Sequence, residues 1–315
     1  MHAKEPKTIT ILGAGSIGIS FAAVFLDAGA TVTLVEPDAE RRAGIAAGIT
    51  KQTEAIETAR LKTGSNGTLL VVARFSEAPA TVDMVLECGP EDLDIKRRIF
   101  AGLLSETEDG TILATASSAI PMSRIVPDRD AQRWCLVAHP VNPPAVLRLI
   151  ELVPAPGTSS SAAETAAAVF ADTGFTPVTL GAEVEGFALN RLQGAVLREA
   201  YRLVDEGVLG ANEIDTVMRL GLGPRWALSG PFETAELNTP GGITAHADRM
   251  GPAYKRMGEA RGETVDWSSE LIGKVAADRR QVLPQDQIPL RAAWRVGAVA
   301  QLVAARDRIA RDTDD

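Results

Sequence analysis

Only three histidines occur in the 315 residues, and one of them, His139, stands where an acid–base group could work. It lies in Ala138-His139-Pro140-Val141-Asn142-Pro143-Pro144, at the end of an apolar run and ahead of a backbone restricted by three prolines. Twelve residues on, Glu151 interrupts the apolar stretch formed by Leu149, Ile150, Leu152 and Val153. A carboxylate there is costly unless something pairs with it, and His139 is the economical partner. Such a pair fixes the ring tautomer and stabilises the imidazolium formed when the other nitrogen takes a proton. The alternative is a structural His–Glu hydrogen bond. His2 and His246 lack a comparable setting.

A second constellation binds rather than reacts. The apolar run 9–12 leads directly into Gly13-Ala14-Gly15-Ser16-Ile17-Gly18 and then into an apolar helical pattern. In the G-x-G-x-x-G turn, the first glycine permits the bend and the second lets backbone approach a pyrophosphate. The third lets the helix pack on the strand. The free N–H groups of Ser16, Ile17 and their neighbours at the helix start suit phosphate oxygens. Glu36 closes the next strand, at the distance where a carboxylate accepts from the adenosine ribose hydroxyls and repels a 2′-phosphate. NAD is therefore expected over NADP. Arg41 and Arg42 follow closely and would reverse that preference if they folded back on the ribose; they read as solvated helix charges.

Two further polar positions stand near strand ends. Ser117 and Ser118 follow the run 111–114, at the carboxyl edge of a sheet, where open α/β folds bind ligands. The Ser118 hydroxyl is placed to hold a reacting oxygen; the alternative, for one of the two serines, is a simple cap on the helix expected at 121–125. Asn190 sits early in an otherwise apolar helical stretch, where its amide needs a substrate oxygen or another buried polar group.

These residues need a scaffold, and the chain alternates in a way that supplies one. Runs 8–12, 31–35, 69–73, 82–87, 111–114 and 133–138 are short, apolar and rich in β-branched residues, as strands are. Helical spacing at 16–28, 92–104 and 121–125 separates several of them, which predicts parallel βαβ units. Segments 149–153, 162–171 and 177–180 add strand, helix and strand. Beyond about residue 185 strand signals end, and 186–206, 211–220, 233–238 and 289–310 carry helical spacing, with Gly-Pro punctuation at 223–224 and 230–231. The expected fold is an α/β, doubly wound, mostly parallel sheet over residues 1–183, followed by an all-helical domain over 184–315.

Composition narrows the function class. Hydrophobic residues at 45% and charged residues at 23% are those of a globular chain. A net charge of -9 argues against nucleic acid as partner, since phosphate neutralisation needs clustered cations. No uncharged run reaches the ~20 residues of a membrane span, and the polar N-terminus does not read as a secretory signal. Cys88 and Cys135 are isolated thiols inside apolar runs, which suggests neither disulfides nor a metal site and fits a reducing cytoplasm.

Several separated motifs resemble one known group. Val137-Ala138-His139-Pro140-Val141-Asn142-Pro143-Pro144, 150–154, 186–193, 201–208, 221–223 and 230–234 are similar to the lambda-crystallin/L-gulonate 3-dehydrogenase branch of the 3-hydroxyacyl-coenzyme A dehydrogenases. The resemblance runs from about residue 8 to 300. It implies a Rossmann domain, a helical domain that forms a homodimer contact, and hydride transfer between NAD and carbon 3 of a 3-hydroxy substrate. By position, Ser118, His139, Glu151 and Asn190 match the family's catalytic set, Ser118 being selected over Ser117 by ungapped counting back from His139. Glu91 and Lys96 match cofactor contacts, although read alone they pass for a helix-start acid and a solvated lysine. Asn142 matches a residue near the nicotinamide. Arg225, beside Trp226, corresponds to an arginine of the gulonate branch and suits bidentate capture of a substrate carboxylate, or else an ion pair. Two departures lean toward a free hydroxy acid, L-gulonate-like or another, rather than an acyl-thioester. The region 41–68 is short, and Thr115-Ala116-Ser117-Ser118-Ala119 lacks the asparagine that precedes the serines in the acyl-thioester pattern. A 3-hydroxyacyl-CoA dehydrogenase and a non-catalytic, crystallin-like nucleotide binder are the alternatives.

Overall fold

Short β-branched runs pair through their backbones, and here they assemble into one eight-stranded sheet. A computed structural model of the chain describes residues 6–262 and 268–291 with 294, 305 and 308. Strands β1 (Thr8–Leu12), β2 (Thr31–Val35), β3 (Thr68–Val72), β4 (Met84–Glu87), β5 (Ile112–Thr115), β6 (Cys135–Pro140), β7 (Leu149–Pro154) and β8 (Thr176–Thr179) lie in the order β3-β2-β1-β4-β5-β6-β7-β8. The sheet is parallel from β3 across to β6. Crossing helices α1 (Ser16–Asp27), α2 (Ala39–Thr58), α3 (Leu93–Glu106) and α4 (Met122–Ile125) lie between those strands in sequence. The link from β6 to β7 is too short for a crossover, so β7 returns antiparallel. Helix α5 (Ser160–Asp172) then carries the chain to β8, parallel to β7.

Side chains alternate across a strand, so each strand feeds two faces. Ile9, Ile11, Met84, Leu86, Leu136, Ala138, Ile150 and Leu152 join the core that α1 and α5 cover. The intervening residues Val85, Leu113, Cys135, Val137 and Val153 join the core that contains Phe100 and Leu103 of α3. The same parity puts Glu87, Thr115, His139 and Glu151 on this second face, at the ends of its apolar rows. Strand order reverses between β1 and β4, and the crevice outside their carboxyl ends is where such sheets bind ligands.

The chain divides into two compact units, Met1–Val196 and Leu197–Asp315. The second unit holds the rest of α6 (Leu189–Asp205), then α7 (Ala211–Val217), a π-turn at Met218–Leu222, α8 (Gly223–Leu237), α9 (Gly242–Ala260) and α10 (Ser269–Val282). Several elements differ from the sequence expectation. Helix α2 has almost no apolar stripe to announce it, and only Ile45 and Ile56 are buried. Helix α9 contains Pro252 and Gly251, residues that read as punctuation. The Gly-Pro pair at 230–231 does interrupt the chain as expected: Gly230, at φ 53°, is non-helical, and the range of α8 holds two helices that meet there across a kink. The helix expected over 289–310 lies largely outside the described residues. No helix among the described residues is long and apolar enough to cross a membrane.

Phe21 and Phe25 of α1 stack with ring centroids 5.5 Å apart; Phe170 packs tilted against both, and Phe175 meets Phe25 and Phe170 edge-on. Truncating a fully buried phenylalanine removes this packing and leaves a cavity. Phe170→Ala should lower the unfolding free energy by about 3–5 kcal/mol in urea denaturation.

Candidate active site

Antiparallel pairing of β6 with β7 sets His139 directly opposite Glu151. The imidazole Nδ1 lies 2.8 Å from Glu151 Oε2, with both side chains almost fully buried. Glu151 Oε1 accepts from the backbone N–H of Ala188 (3.0 Å) and Leu189 (2.9 Å), so the same carboxylate holds the start of α6. With that oxygen accepting two donors, Oε2 is the acceptor for the Nδ1–H, which leaves Nε2 as the basic atom of a neutral ring. Phe187, itself fully buried, lies against the imidazole at a centroid separation of 5.4 Å. Its φ of 50° follows Gly186 at 76°, a left-handed pair that turns the chain from the sheet into α6. Thus the residues expected to pair do so.

A second buried carboxylate escaped the sequence reading. Glu87 ends β4 with no exposure, and Lys96, 1% exposed, lies 2.8 Å from its Oε2. Thr115 Oγ1 donates to the same oxygen at 2.6 Å, and the N–H of Gly89 donates to Oε1 at 2.6 Å. Lys96 is therefore not the solvated lysine its residue type suggests: its stem crosses the core and its ammonium neutralises Glu87. The available signal was an acid terminating an apolar strand, which needs a buried partner.

From this hub the order extends outward. Lys96 Nζ lies 3.6 Å from Glu91 Oε2, and Glu91 Oε1 accepts from Ser117 Oγ at 2.6 Å. That oxygen also accepts from the N–H of Ser118 and of Ala119, each at 3.0 Å. Ser117 Oγ in turn accepts from Ile120 N–H at 2.8 Å, so this hydroxyl is committed to the turn before α4. Ser118 is exposed, and no partner for its hydroxyl occurs among the described residues. Its carbonyl accepts from Asn190 Nδ2 at 2.8 Å, which supplies the partner the sequence demanded for that amide. Ser118, Asn190, Glu91 and Lys96 are thus brought together. Asn142 is exposed in the β6–β7 loop, which is anchored by Ala145 N–H donating to Ser20 Oγ on α1 at 2.9 Å.

At the end of β1 the glycines divide by role. A Cβ at Gly18 would meet the Gly13 carbonyl oxygen at 2.0 Å, so helix α1 packs on the turn only without one. Gly13, at φ 102°, approaches the Cys88 carbonyl after β4. At Gly15, by contrast, a Cβ would meet nothing within 4 Å. That open space, at the uncapped N-terminus of α1, fits the pyrophosphate of a dinucleotide. Glu36, 3% exposed, accepts from Ala14 N–H (2.9 Å) and Asp38 N–H (3.0 Å), one per oxygen, which leaves acceptor capacity for ribose hydroxyls. Gly13, Gly15, Glu36, Arg41 and Phe75 line one cleft of about 790 Å³. Arg42 donates instead to the carbonyls of Glu36 and Pro37. Burial pushes the thiols of Cys88 and Cys135 up, so neither is a nucleophile here.

Arg225 belongs to the other unit. It is exposed on α8, and its guanidinium has no ion-pair or hydrogen-bond partner among the described residues.

Family models bear directly on this geometry. The 3-hydroxyacyl-CoA dehydrogenase NAD-binding domain matches residues 8–184, and the C-terminal domain of the same enzymes matches 186–274. The chain belongs to the 3-hydroxyacyl-CoA dehydrogenase family. It is 35% identical to a lambda-crystallin homolog of Bos taurus over 96% of this chain and 97% of that protein. An L-carnitine dehydrogenase of Streptomyces griseus is 32% identical over 97% and 88% of the two chains. In fold, a 3-hydroxyacyl-CoA dehydrogenase of Archaeoglobus fulgidus superposes with a TM-score of 0.73 at 20% identity, over 96% of this chain and 99% of that one. This member of the family is an NAD-dependent dehydrogenase of 3-hydroxy substrates, built as a Rossmann domain followed by helices.

Two substitutions test the arrangement. Glu87→Ala strands the buried Lys96 ammonium beside only the more distant Glu91, and should cost about 3 kcal/mol of stability in chemical denaturation. Gly18→Ala forces the turn and α1 apart. It should weaken NADH binding at least about tenfold, measured by NADH fluorescence, with circular dichroism largely preserved.

Proposed function

We propose that this dehydrogenase acts reversibly on a small free 3-hydroxy acid, L-gulonate-like or a related carboxylate, in preference to a coenzyme A thioester. The observation that carries the reading is the buried His139–Glu151 pair, which leaves one imidazole nitrogen free to exchange a proton. In the oxidative direction, His139 Nε2 takes the proton of the 3-hydroxyl as carbon 3 becomes a carbonyl. Glu151 stabilises the imidazolium so formed. The Ser118 hydroxyl and the Asn190 amide hold the substrate oxygen and stabilise charge developing on it. Bound NAD supplies the hydride acceptor. Gly13, Ala14, Gly15, Ser16, Ile17 and Gly18 hold its pyrophosphate and Glu36 its ribose; Glu91 and Lys96 are further cofactor contacts, and Asn142 lies near the nicotinamide.

Preference for a free acid is supported by Arg225, a guanidinium with no carboxylate partner among the described residues and of a kind that binds carboxylates. The short 41–68 segment, in which α2 buries only Ile45 and Ile56, supports it too. In this reading residues 1–183 bind the nucleotide, while 184–315 bind substrate and form a homodimer. Dimerisation is supported by α6, whose Leu197, Tyr201 and Val204 leave an exposed apolar stripe on a single chain. The cytoplasm is the compartment, and the net charge of -9 speaks against a nucleic-acid partner.

His139→Asn should lower kcat by ~10² to 10⁴-fold with NADH affinity nearly unchanged. Loss of NADH binding with chemistry intact would overturn the role of His139. In an assay of NADH production, free 3-hydroxy acids should give higher kcat/KM than matched 3-hydroxyacyl thioesters. The reverse order refutes the free-acid reading. Tyr201→Asp should shift the chain from dimer to monomer in sedimentation.

A further inference from the structure

Residues 141–148 carry the chain from β6, which holds His139, back to β7, which holds Glu151. The Pro143 carbonyl accepts from the N–H groups of Val146 (3.1 Å) and Leu147 (2.9 Å), which folds the middle of this link into a turn. Ala145, inside the turn, is fully buried, so each of its backbone groups needs a partner. Its carbonyl accepts from Arg148 Nε at 2.9 Å, within the link itself. Its N–H donates instead to Ser20 Oγ at 2.9 Å, across to α1. Among the described residues no other hydrogen bond joins 141–148 to a helix.

Ser20 is a buried polar residue among the apolar residues of α1. A serine inside a helix often turns its hydroxyl back onto the carbonyl four residues earlier. Here the hydroxyl is used between elements: Oγ accepts from Ala145 and donates to Gln52 Oε1 on α2 at 3.2 Å. Ser20 follows Ser16, the first residue of α1, by about one turn, or about 6 Å along the axis. The open N–H groups at that helix start are the ones that fit a pyrophosphate. One hydroxyl thus connects the anion end of α1 to the link between His139 and Glu151. The same link bears the exposed Asn142. Such a connection matters for chemistry, because displacing reacting groups by about 1 Å through a distant change can cost about 100-fold in rate.

We propose that Ser20 is a positioning residue. Its hydroxyl ties the His139–Glu151 link to the cofactor-binding helix, so that a bound dinucleotide and the imidazole keep one fixed relation. The proposal rests on reading His139 as the acid–base residue, and it deepens that reading by naming what holds the adjoining loop.

Ser20→Ala changes the volume little and leaves the buried Ala145 N–H without its acceptor. Amide hydrogen exchange of the full chain, with and without NADH, reads the tether directly. In the unsubstituted protein NADH should slow exchange over 141–148 as well as over 13–18. In Ser20→Ala the link should exchange at least about tenfold faster and lose its response to NADH, while 13–18 keeps its own. On the preferred 3-hydroxy substrate at saturating NAD, kcat should fall about 10- to 100-fold, with NADH affinity within about threefold of the original. Gln52→Leu, which removes the other partner of the hydroxyl, should change neither exchange nor kcat.

Unaltered exchange of the link in Ser20→Ala overturns the proposal, as does an unaltered kcat or an equal effect of Gln52→Leu. Loss of the NADH response at 13–18 together with the link overturns it too, since the substitution then loosens α1 as a whole. If the unsubstituted chain oxidises no 3-hydroxy substrate, or His139→Asn keeps full kcat, the acid–base reading falls. The exchange measurement still decides the tether in that case.

Discussion

The carboxylate of Glu151 divides its two oxygens between different elements, and most of the site follows from that. One oxygen orients the imidazole of His139; the other accepts from the first N–H groups of α6. A buried carboxylate of this kind is tolerable because both its oxygens have donors, one from the His139 side chain and two from the backbone at the start of α6. The His139 ring and the helix bearing Asn190 are consequently referred to one point. Phe187 closes the arrangement by packing its ring, tilted, against the imidazole, in a backbone conformation that only a tight, well-supported turn sustains.

A second carboxylate organises the neighbouring strands in the same manner. Glu87 joins the end of β4, the end of β5 through Thr115, and α3 through Lys96. Its parity puts it on the sheet face that also carries His139 and Glu151. Polar residues concentrate on that face only at the strand ends, where the apolar rows stop and the ligand crevice begins. The loop holding Ser118 is ordered from behind by Glu91, and Ser117 is consumed in that ordering. Two adjacent serines thus have different physical duties, one internal to the turn and one free toward solvent.

The glycine turn shows the same separation between packing and binding. Gly18 is demanded by the backbone two ångströms away, whereas nothing in the protein occupies the space a side chain at Gly15 would take. That open space lies beside the uncapped start of α1, whose free N–H groups suit an anionic group such as a pyrophosphate.

Much of this could be read from residue order alone. The strand–turn–helix context of Gly13 to Gly18 and the acid at Glu36 are local patterns, and local patterns survive without tertiary information. His139 and Glu151 were legible because a charge inside an apolar run must find a partner, and a histidine at the end of the preceding run was the available one. Lys96 was not legible: a lysine's burial depends on which carboxylate another strand delivers, and Glu87 comes from a strand fixed only by sheet order. The choice between Ser117 and Ser118 likewise needed the three-dimensional path of Glu91. Helices α2 and α9 hid because one has scarcely any apolar face and the other carries glycine and proline inside it. Sequence therefore determined the chemistry wherever a residue's own environment forced a partner. Tertiary structure decided which residue supplied that partner whenever it came from a distant strand, because pairing across a sheet depends on register and order, which no short stretch of chain encodes.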